Sequence, residues 1–378
     1  MVLLILVCCV ICVSADTSTL WGPLPDKVPD DQQQQQHLRQ LQSVAAHFTS
    51  HTIESGGTTR EFKVYIPSGM RQAATPPAGL VMFFHGYTSS VESTCGSGGP
   101  YFFNPVQNAD DHNFIAVCPQ GLGGSKSGWN CEGCCGAPAM SGVDDVRFVS
   151  EMMDNLRDVT LPGLGVSYPT KNVLAIGHST GGLFAYRLGC ELSGRIDGVA
   201  PVGAAWDYVF GYPNPMTWPA RCAGKGVSVW NAMGTIDYFT TATTAKAKWR
   251  TYSENVLACS PESVQVTRPS STVECTRYSS CAGIMRSQLC IYDGMGHVVT
   301  QMDSVHNVES TKSAWNFLTN SSSLLPALLP TPVPSSTTTP LPTLMPSTTR
   351  SATQFASSVS QVDAKGICFF LLGLAMLV

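Results

Sequence analysis

Ile176-Gly177-His178-Ser179-Thr180-Gly181-Gly182 follows the apolar run Val173-Leu174-Ala175 and leads into Leu183-Phe184-Ala185-Tyr186-Arg187-Leu188. An apolar strand, then Gly-x-Ser-x-Gly, then a helix-compatible run sets the serine on a tight strand-to-helix turn, a nucleophile elbow. Glycines flank the serine because side chains there would collide with neighbouring backbone. The serine then faces a cleft instead of the core. With 34 glycines among 378 residues, the pentapeptide alone could arise by chance. Its meaning depends on what the chain places at its other strand ends.

Outward from the elbow, strands alternate with helices. Leu80 to Phe84 and Phe114 to Cys118 are short, continuous apolar runs, as expected of strands buried on both faces of a parallel sheet. Phe62 to Ile66 alternates apolar and polar residues, the pattern of a strand near a sheet edge. Val143, Val146, Phe148, Val149, Met152, Met153 and Leu156 recur at three- and four-residue steps and predict a helix over 143–159. Ser141 and Asp144 form its expected capping pair, with Asp145 also favourable at the positive helix end. Further strands are expected at Ile196 to Val202, Val227 to Ala232 and Gln288 to Tyr292, and a last helix over Ser304 to Leu318. This alternation predicts an α/β fold, a mostly parallel doubly wound sheet with helices on both faces.

Ligands of such sheets bind beyond the carboxyl ends of the strands. Three sites besides Ser179 meet that condition: His85-Gly86-Tyr87, Asp237 in Gly234-Thr235-Ile236-Asp237, and His297 in Asp293-Gly294-Met295-Gly296-His297. Ser, Asp, His is the chain order of α/β-hydrolases. A serine hydroxyl is a poor nucleophile until a base takes its proton, which neutral imidazole does near pH 7. A carboxylate holds that imidazole in the right tautomer and stabilises the imidazolium. Ser179 is therefore read as nucleophile, His297 as base and Asp237 as acid. The oxyanion needs preorganised donors, expected from the backbone N–H groups of Thr180 and Tyr87. His85 shapes the oxyanion loop in this reading, His178 points away from the nucleophile, and His306 is a surface residue of the last helix. Asp207 is the main rival to Asp237, and Asp293 lies too close to His297 along the turn.

The two ends of the chain carry different signals. Residues 1–15 read as a secretory signal: Leu3 to Val13 is uninterrupted apolar sequence, followed by the small residues Ser14 and Ala15. Residues 16–50 form a polar linker containing the Gln32 to Gln36 run, and 51–320 the hydrolase domain. Residues 321–358 are rich in Ser, Thr and Pro and read as an extended, O-glycosylatable stalk. Small residues at Ala356, Ser357 and Ser358, a polar spacer and the apolar tail Ile367 to Val378 match a GPI-attachment signal over 359–378. A short tail anchor is the competing reading. The net charge is −4 and only 13% of residues are charged, with no basic stripe, so nucleic acid is not an expected partner.

Of fifteen cysteines, Cys8, Cys9 and Cys12 fall in the signal and Cys368 in the tail. An extracellular destination favours disulfides among the rest. Cys131 and Cys134 have Cys-x-x-Cys spacing, but no second ligand pair matches it, so no metal site is expected. The odd remainder leaves one thiol, expected at Cys118 in its buried strand.

Several linked motifs resemble the secreted polyhydroxybutyrate depolymerase, feruloyl esterase and acetylxylan esterase group of α/β-hydrolases. They are Gly177-His178-Ser179-Thr180-Gly181-Gly182 with Cys190-Glu191-Leu192-Ser193, Gly128-Trp129-Asn130 with Cys134-Cys135-Gly136, Val143-Asp144-Asp145-Val146, Val199-Ala200-Pro201-Val202, and Cys275-Thr276-Arg277-Tyr278 with Gly296-His297. The resemblance implies a serine esterase with the triad Ser179, Asp237 and His297 and no cofactor. It also implies that Trp129 helps line the substrate cleft, beside the alternative that it merely packs its loop. The disulfide hypothesis that follows joins Cys190 with Cys222, Cys259 with Cys290, and Cys275 with Cys281. Two stretches depart from the group: Val298-Val299-Thr300 stands where Trp-Pro-Gly is common, and Tyr238-Phe239-Thr240 where proline and valine are common.

The expected activity is hydrolysis of esters on polysaccharide, such as feruloylated or acetylated xylan, at the cell surface through a GPI anchor. A polyester or small-ester hydrolase keeps the same machinery. A cell-surface binding protein on a hydrolase fold is the alternative from another class, and a peptidase ranks last.

Overall fold

The computed structural model describes residues 48–73, 76–96, 98–207, 216–299, 306 and 308–319, all within the unit Met1–Leu325. The expected signal, stalk and GPI segments, and the linker before residue 48, lie outside the described residues.

Ten strands form one sheet: β1 (Thr49–Ser55), β2 (Thr58–Tyr65), β3 (Gly79–Phe84), β4 (Phe114–Pro119), β5 (Val173–His178), β6 (Gly198–Val202), β7 (Ser228–Gly234), β8 (Val264–Ser270), β9 (Val273–Tyr278) and β10 (Ser287–Tyr292). Their order is β1-β2-β4-β3-β5-β6-β7-β10-β9-β8. The pairings among β4, β3, β5, β6, β7 and β10 are parallel, while β2 joins β4 antiparallel. Crossed β3 and β4 behind an antiparallel β2 is the arrangement of the α/β-hydrolase fold. Every residue of β3, β4, β5 and β7 is buried, which is why these strands carry no polar alternation. Leu80, Met82 and Phe84 pack into one core with Val149, Met152 and Phe184. Val81 and Phe83 face the opposite core with Phe114, Trp230 and Trp315.

The two sheet edges were not apparent from sequence pattern. β1 hairpins to β2 across Gly56-Gly57, both at positive φ, as tight hairpin turns require. Its residues alternate between exposed and half-buried, and only Ile53 is strongly apolar. β8 is almost wholly exposed and carries Pro269 and a register shift, devices that discourage edge-to-edge pairing. Neither edge buries enough to imprint a hydrophobic period.

The helix expected over 143–159 spans Asp145–Asn155 and continues through irregular turns to Gly163. Its cap is Asp144 alone, accepting from the Arg147 N–H at 3.0 Å. Ser141 instead donates to the Ala137 carbonyl at 2.7 Å, closing the preceding helical turn. Asp145 is buried. It accepts from Arg60 Nη2 at 2.7 Å and from the Asn130 N–H at 2.7 Å. Burial raises its carboxyl, against the pull of Arg60. This pair ties β2 and the loop around Trp129 to the helix.

The cysteines correct several expectations. Cys118 is bonded to Cys95, and the free thiol is the buried Cys131, pushed up to about 12 by burial. Cys190 pairs with Cys222. Cys259 pairs with Cys281 and Cys275 with Cys290, in place of the expected Cys259–Cys290 and Cys275–Cys281. Cys275 and Cys290 stand directly opposite in the β9–β10 register, a proximity that sequence spacing does not show. Cys134 and Cys135 form a vicinal disulfide.

Asp145→Ala would leave the Arg60 guanidinium buried without its carboxylate. Stability is expected to fall by about 3–5 kcal/mol, read from the urea midpoint. A midpoint matching wild type would show that the pair contributes nothing.

Candidate active site

Ser179 caps the helix Thr180–Glu191 with φ 56° and ψ −120°, a sparsely populated conformation that the surrounding packing must hold. A Cβ on Gly177 would lie 2.2 Å from the Gly181 carbonyl oxygen. One on Gly181 would lie 2.3 Å from the oxygen of Phe84 and 2.5 Å from that of His85. Both glycines are thus required by backbone crowding, and the helix start presses directly on the end of β3. The Ser179 N–H donates to the Val202 carbonyl at 2.9 Å, fastening the elbow to β6.

Asp237 and His297 follow the neighbouring parallel strands β7 and β10. Asp237 Oδ2 lies 2.7 Å from His297 Nδ1, with both side chains buried. The other carboxylate oxygen accepts from the N–H of Phe239 at 2.8 Å and of Thr240 at 3.4 Å. A carboxylate on Nδ1 places the imidazole proton there and leaves Nε2 to accept. Nε2 has no hydrogen-bond partner, and His297 shares one cleft with Ser179. The rival carboxylates lie elsewhere: Asp207 pairs with Lys248 at 3.3 Å, and Asp293 accepts from Thr235 Oγ1 at 3.1 Å. His306 is buried rather than on the surface, its Nε2 donating to the Asp293 carbonyl at 3.0 Å.

The loop after β3 is held from below. His85 is fully buried, donating from Nδ1 to the Gly86 carbonyl at 2.8 Å and accepting at Nε2 from the Gly121 N–H at 2.9 Å. Burial pushes its imidazole down to about 4, so it stays neutral. Trp129 donates to the His85 carbonyl at 2.9 Å and stacks on Phe184. It is wholly buried and does not line the cleft, which corrects the expectation that it does. The Thr88 N–H donates to the Ser127 carbonyl at 2.8 Å. Tyr87 and Thr180, the expected oxyanion donors, both line the cleft. Thr180 opens its helix, so its N–H has no partner four residues back.

His178 also meets His297. Its ring is buried, centred 4.6 Å from that of His297, and stacked on Tyr101 at 5.0 Å. It hydrogen-bonds the main chain of His297, while burial, with His297 beside it, holds its pKa well below the ordinary value. Nothing local in the sequence distinguishes a histidine that braces His297 from one that fills a turn.

The cleft has a volume of about 840 Å³. Its lining includes Tyr87, the vicinal disulfide, Tyr238 and Phe239, and Ser89, Ser90, Ser93 and Thr240 add hydroxyls. No Asp, Glu, Lys or Arg lines it among the described residues.

No family model matches the chain, and no curated protein matches it. Among solved structures, an acetyl xylan esterase from Aspergillus awamori is similar at TM-score 0.48 and 16% identity, over 66% of this chain and 94% of that one. Thermogutta terrifontis esterase 2 gives 0.43 and 12% over 67% and 85%. Est1E from Butyrivibrio proteoclasticus gives 0.40 and 11% over 66% and 90%. At these low identities and scores, the functional reading rests on the site's own geometry.

Acid is expected to weaken the fold through His85. Above its ordinary value of 6.5 both folded and unfolded forms are neutral. Between there and about 4 the unfolded chain binds a proton that the folded chain does not, so stability falls as pH falls. His178 acts in the same direction. From pH 6.5 to 5 the loss through His85 is about 1.5 kcal/mol. Urea unfolding of wild type and His85→Gln across that range should show the shallower slope in the variant; parallel slopes would refute it.

Proposed function

We propose that this chain is a serine carboxylic ester hydrolase acting on ester-decorated polysaccharide of the feruloyl or acetyl xylan type. The observation that carries the reading is the 2.7 Å contact of Asp237 with His297 Nδ1, with Nε2 unpartnered and the elbow serine in the same cleft. Ser179 Oγ attacks the ester carbonyl carbon as His297 Nε2 takes its proton. The resulting oxyanion is met by the N–H groups of Thr180 and Tyr87. Collapse expels the alcohol, which takes the proton from His297. Water then repeats the sequence on the acyl-enzyme and releases the acid. Asp237 stays ionised throughout and steadies the imidazolium.

Two features of the cleft lining support this substrate class. A cleft in which no charged side chain lines the wall among the described residues favours a neutral acyl group, since an uncompensated ion would lose hydration there. Its hydroxyls suit the hydroxyl-rich alcohol of a sugar ester. The chemistry calls on no cofactor.

Ser179→Ala is expected to lower hydrolysis by about 10⁴-fold or more across methyl ferulate, acetylated xylan and short polyhydroxybutyrate. Preference for the last would favour the polyester reading. Wild type and variant equally inert on all three would favour a binding protein built on a hydrolase fold.

The working place proposed is the outer cell surface, through the GPI signal at 359–378. Disulfides such as Cys95–Cys118 and Cys190–Cys222 suit an oxidising compartment. Phosphatidylinositol-specific phospholipase C should release the expressed protein from membranes. Retention, with release only by detergent, would indicate a tail anchor.

A further inference from the structure

Six large apolar side chains stand exposed among the described residues: Met140, Val159, Ile236, Tyr238, Val266 and Ile284. Tyr238, at 74% exposure, is the one of these that lines the cleft. Its ring stands edge-on to His297, with centroids 5.7 Å apart. It also packs on Phe239 at 4.2 Å, and Phe239 is edge-on to His297 at 4.4 Å.

His297 hands its proton to the departing alcohol oxygen, so the alcohol must lie beside this histidine. The aromatic pair that flanks His297 therefore stands within reach of the alcohol. The loop bearing it is rigid for a specific reason. Asp237 spends one carboxylate oxygen on His297 and the other on the N–H groups of Phe239 and Thr240. Tyr238 sits inside that turn, so its backbone is already ordered before any ligand arrives, which lowers the entropy lost on binding.

We propose that Tyr238 is the platform on which the sugar ring of the leaving alcohol lies, and that it sets the enzyme's preference for carbohydrate esters. A pyranose presents C–H bonds on its faces and hydroxyls around its edge. The C–H face meets the electron-rich face of the tyrosine ring, and Thr240, two residues along the same loop, offers a hydroxyl within the cleft. Tyr238 acts on specificity, not on the reacting atoms. The inference rests on the ester-hydrolase reading above and extends it to the alcohol side of the site.

The test compares one acyl group on two alcohols, acetyl-xylobiose and methyl acetate, in wild type, Tyr238→Ala and Tyr238→Phe. The alanine variant should lower the ratio of kcat/KM for the sugar ester over the methyl ester about tenfold, chiefly through KM. The phenylalanine variant, which keeps the ring, should restore most of that ratio. An equal loss on both esters, no change in the ratio, or a phenylalanine variant as poor as alanine would overturn the platform. A second measurement keeps the outcome separate from the hydrolase reading: titration of Ser179→Ala with unmodified xylohexaose by calorimetry, with and without Tyr238→Ala. Affinity should fall about tenfold when the ring is removed. If wild type cleaves neither ester, the hydrolase reading fails while this titration still decides the platform. Absent binding, or binding indifferent to Tyr238, would overturn it.

Discussion

The close approach of Gly181 to the carbonyls of Phe84 and His85 is the constraint from which the site is built. No side chain fits between the start of the helix Thr180–Glu191 and the end of β3. The helix therefore begins directly against the loop at Gly86 and Tyr87. One crowded contact brings Thr180 beside that loop and leaves Ser179 in its strained conformation at the mouth of the cleft. A larger residue at Gly181 would push the helix start away from the end of β3 and so part Ser179 from the loop at Gly86 and Tyr87.

That contact has to be held from the opposite side, and buried polar groups do so in sequence. Trp129 and Gly121 fix His85 from two directions. The Trp129 loop is in turn fixed by the Asn130 N–H on Asp145 and by Arg187 on the Asn130 carbonyl. Asp145 is balanced by Arg60, which also lies over the Phe148 ring at 3.9 Å. A half-satisfied network would be worse than an apolar core. Here the partners named meet at hydrogen-bonding distance, Arg60 Nε alone of the Arg60–Asp145 pair standing without one, so the loop is placed by contacts far from where it works.

On the other side of the cleft one carboxylate does two jobs. Asp237 orients His297 and, with its second oxygen, fixes the Tyr238-Phe239-Thr240 turn. The orientation of His297 and the shape of the cleft wall are thereby coupled through a single buried side chain. His178 braces the same histidine from the elbow itself, so Ser179 and His297 share a support.

The sequence by itself determined the central strands, because β3, β4 and β5 bury both faces and must be continuously apolar. It also determined Ser179, Asp237 and His297 as residues at strand ends, where a parallel sheet collects its chemistry. What local pattern could not carry was decided by contacts between distant segments. β1 and β8 bury too little to show a period. The pairing of Cys275 with Cys290 depends on strand register, and Cys118 meets Cys95 across a loop. Trp129 belongs to the support and not the cleft because its indole N–H finds the His85 carbonyl, and His178 meets His297 only once β5 and β10 share a sheet. Periodicity records how a segment faces water; which segments meet is a property of the whole chain's packing, and only the tertiary structure contains it.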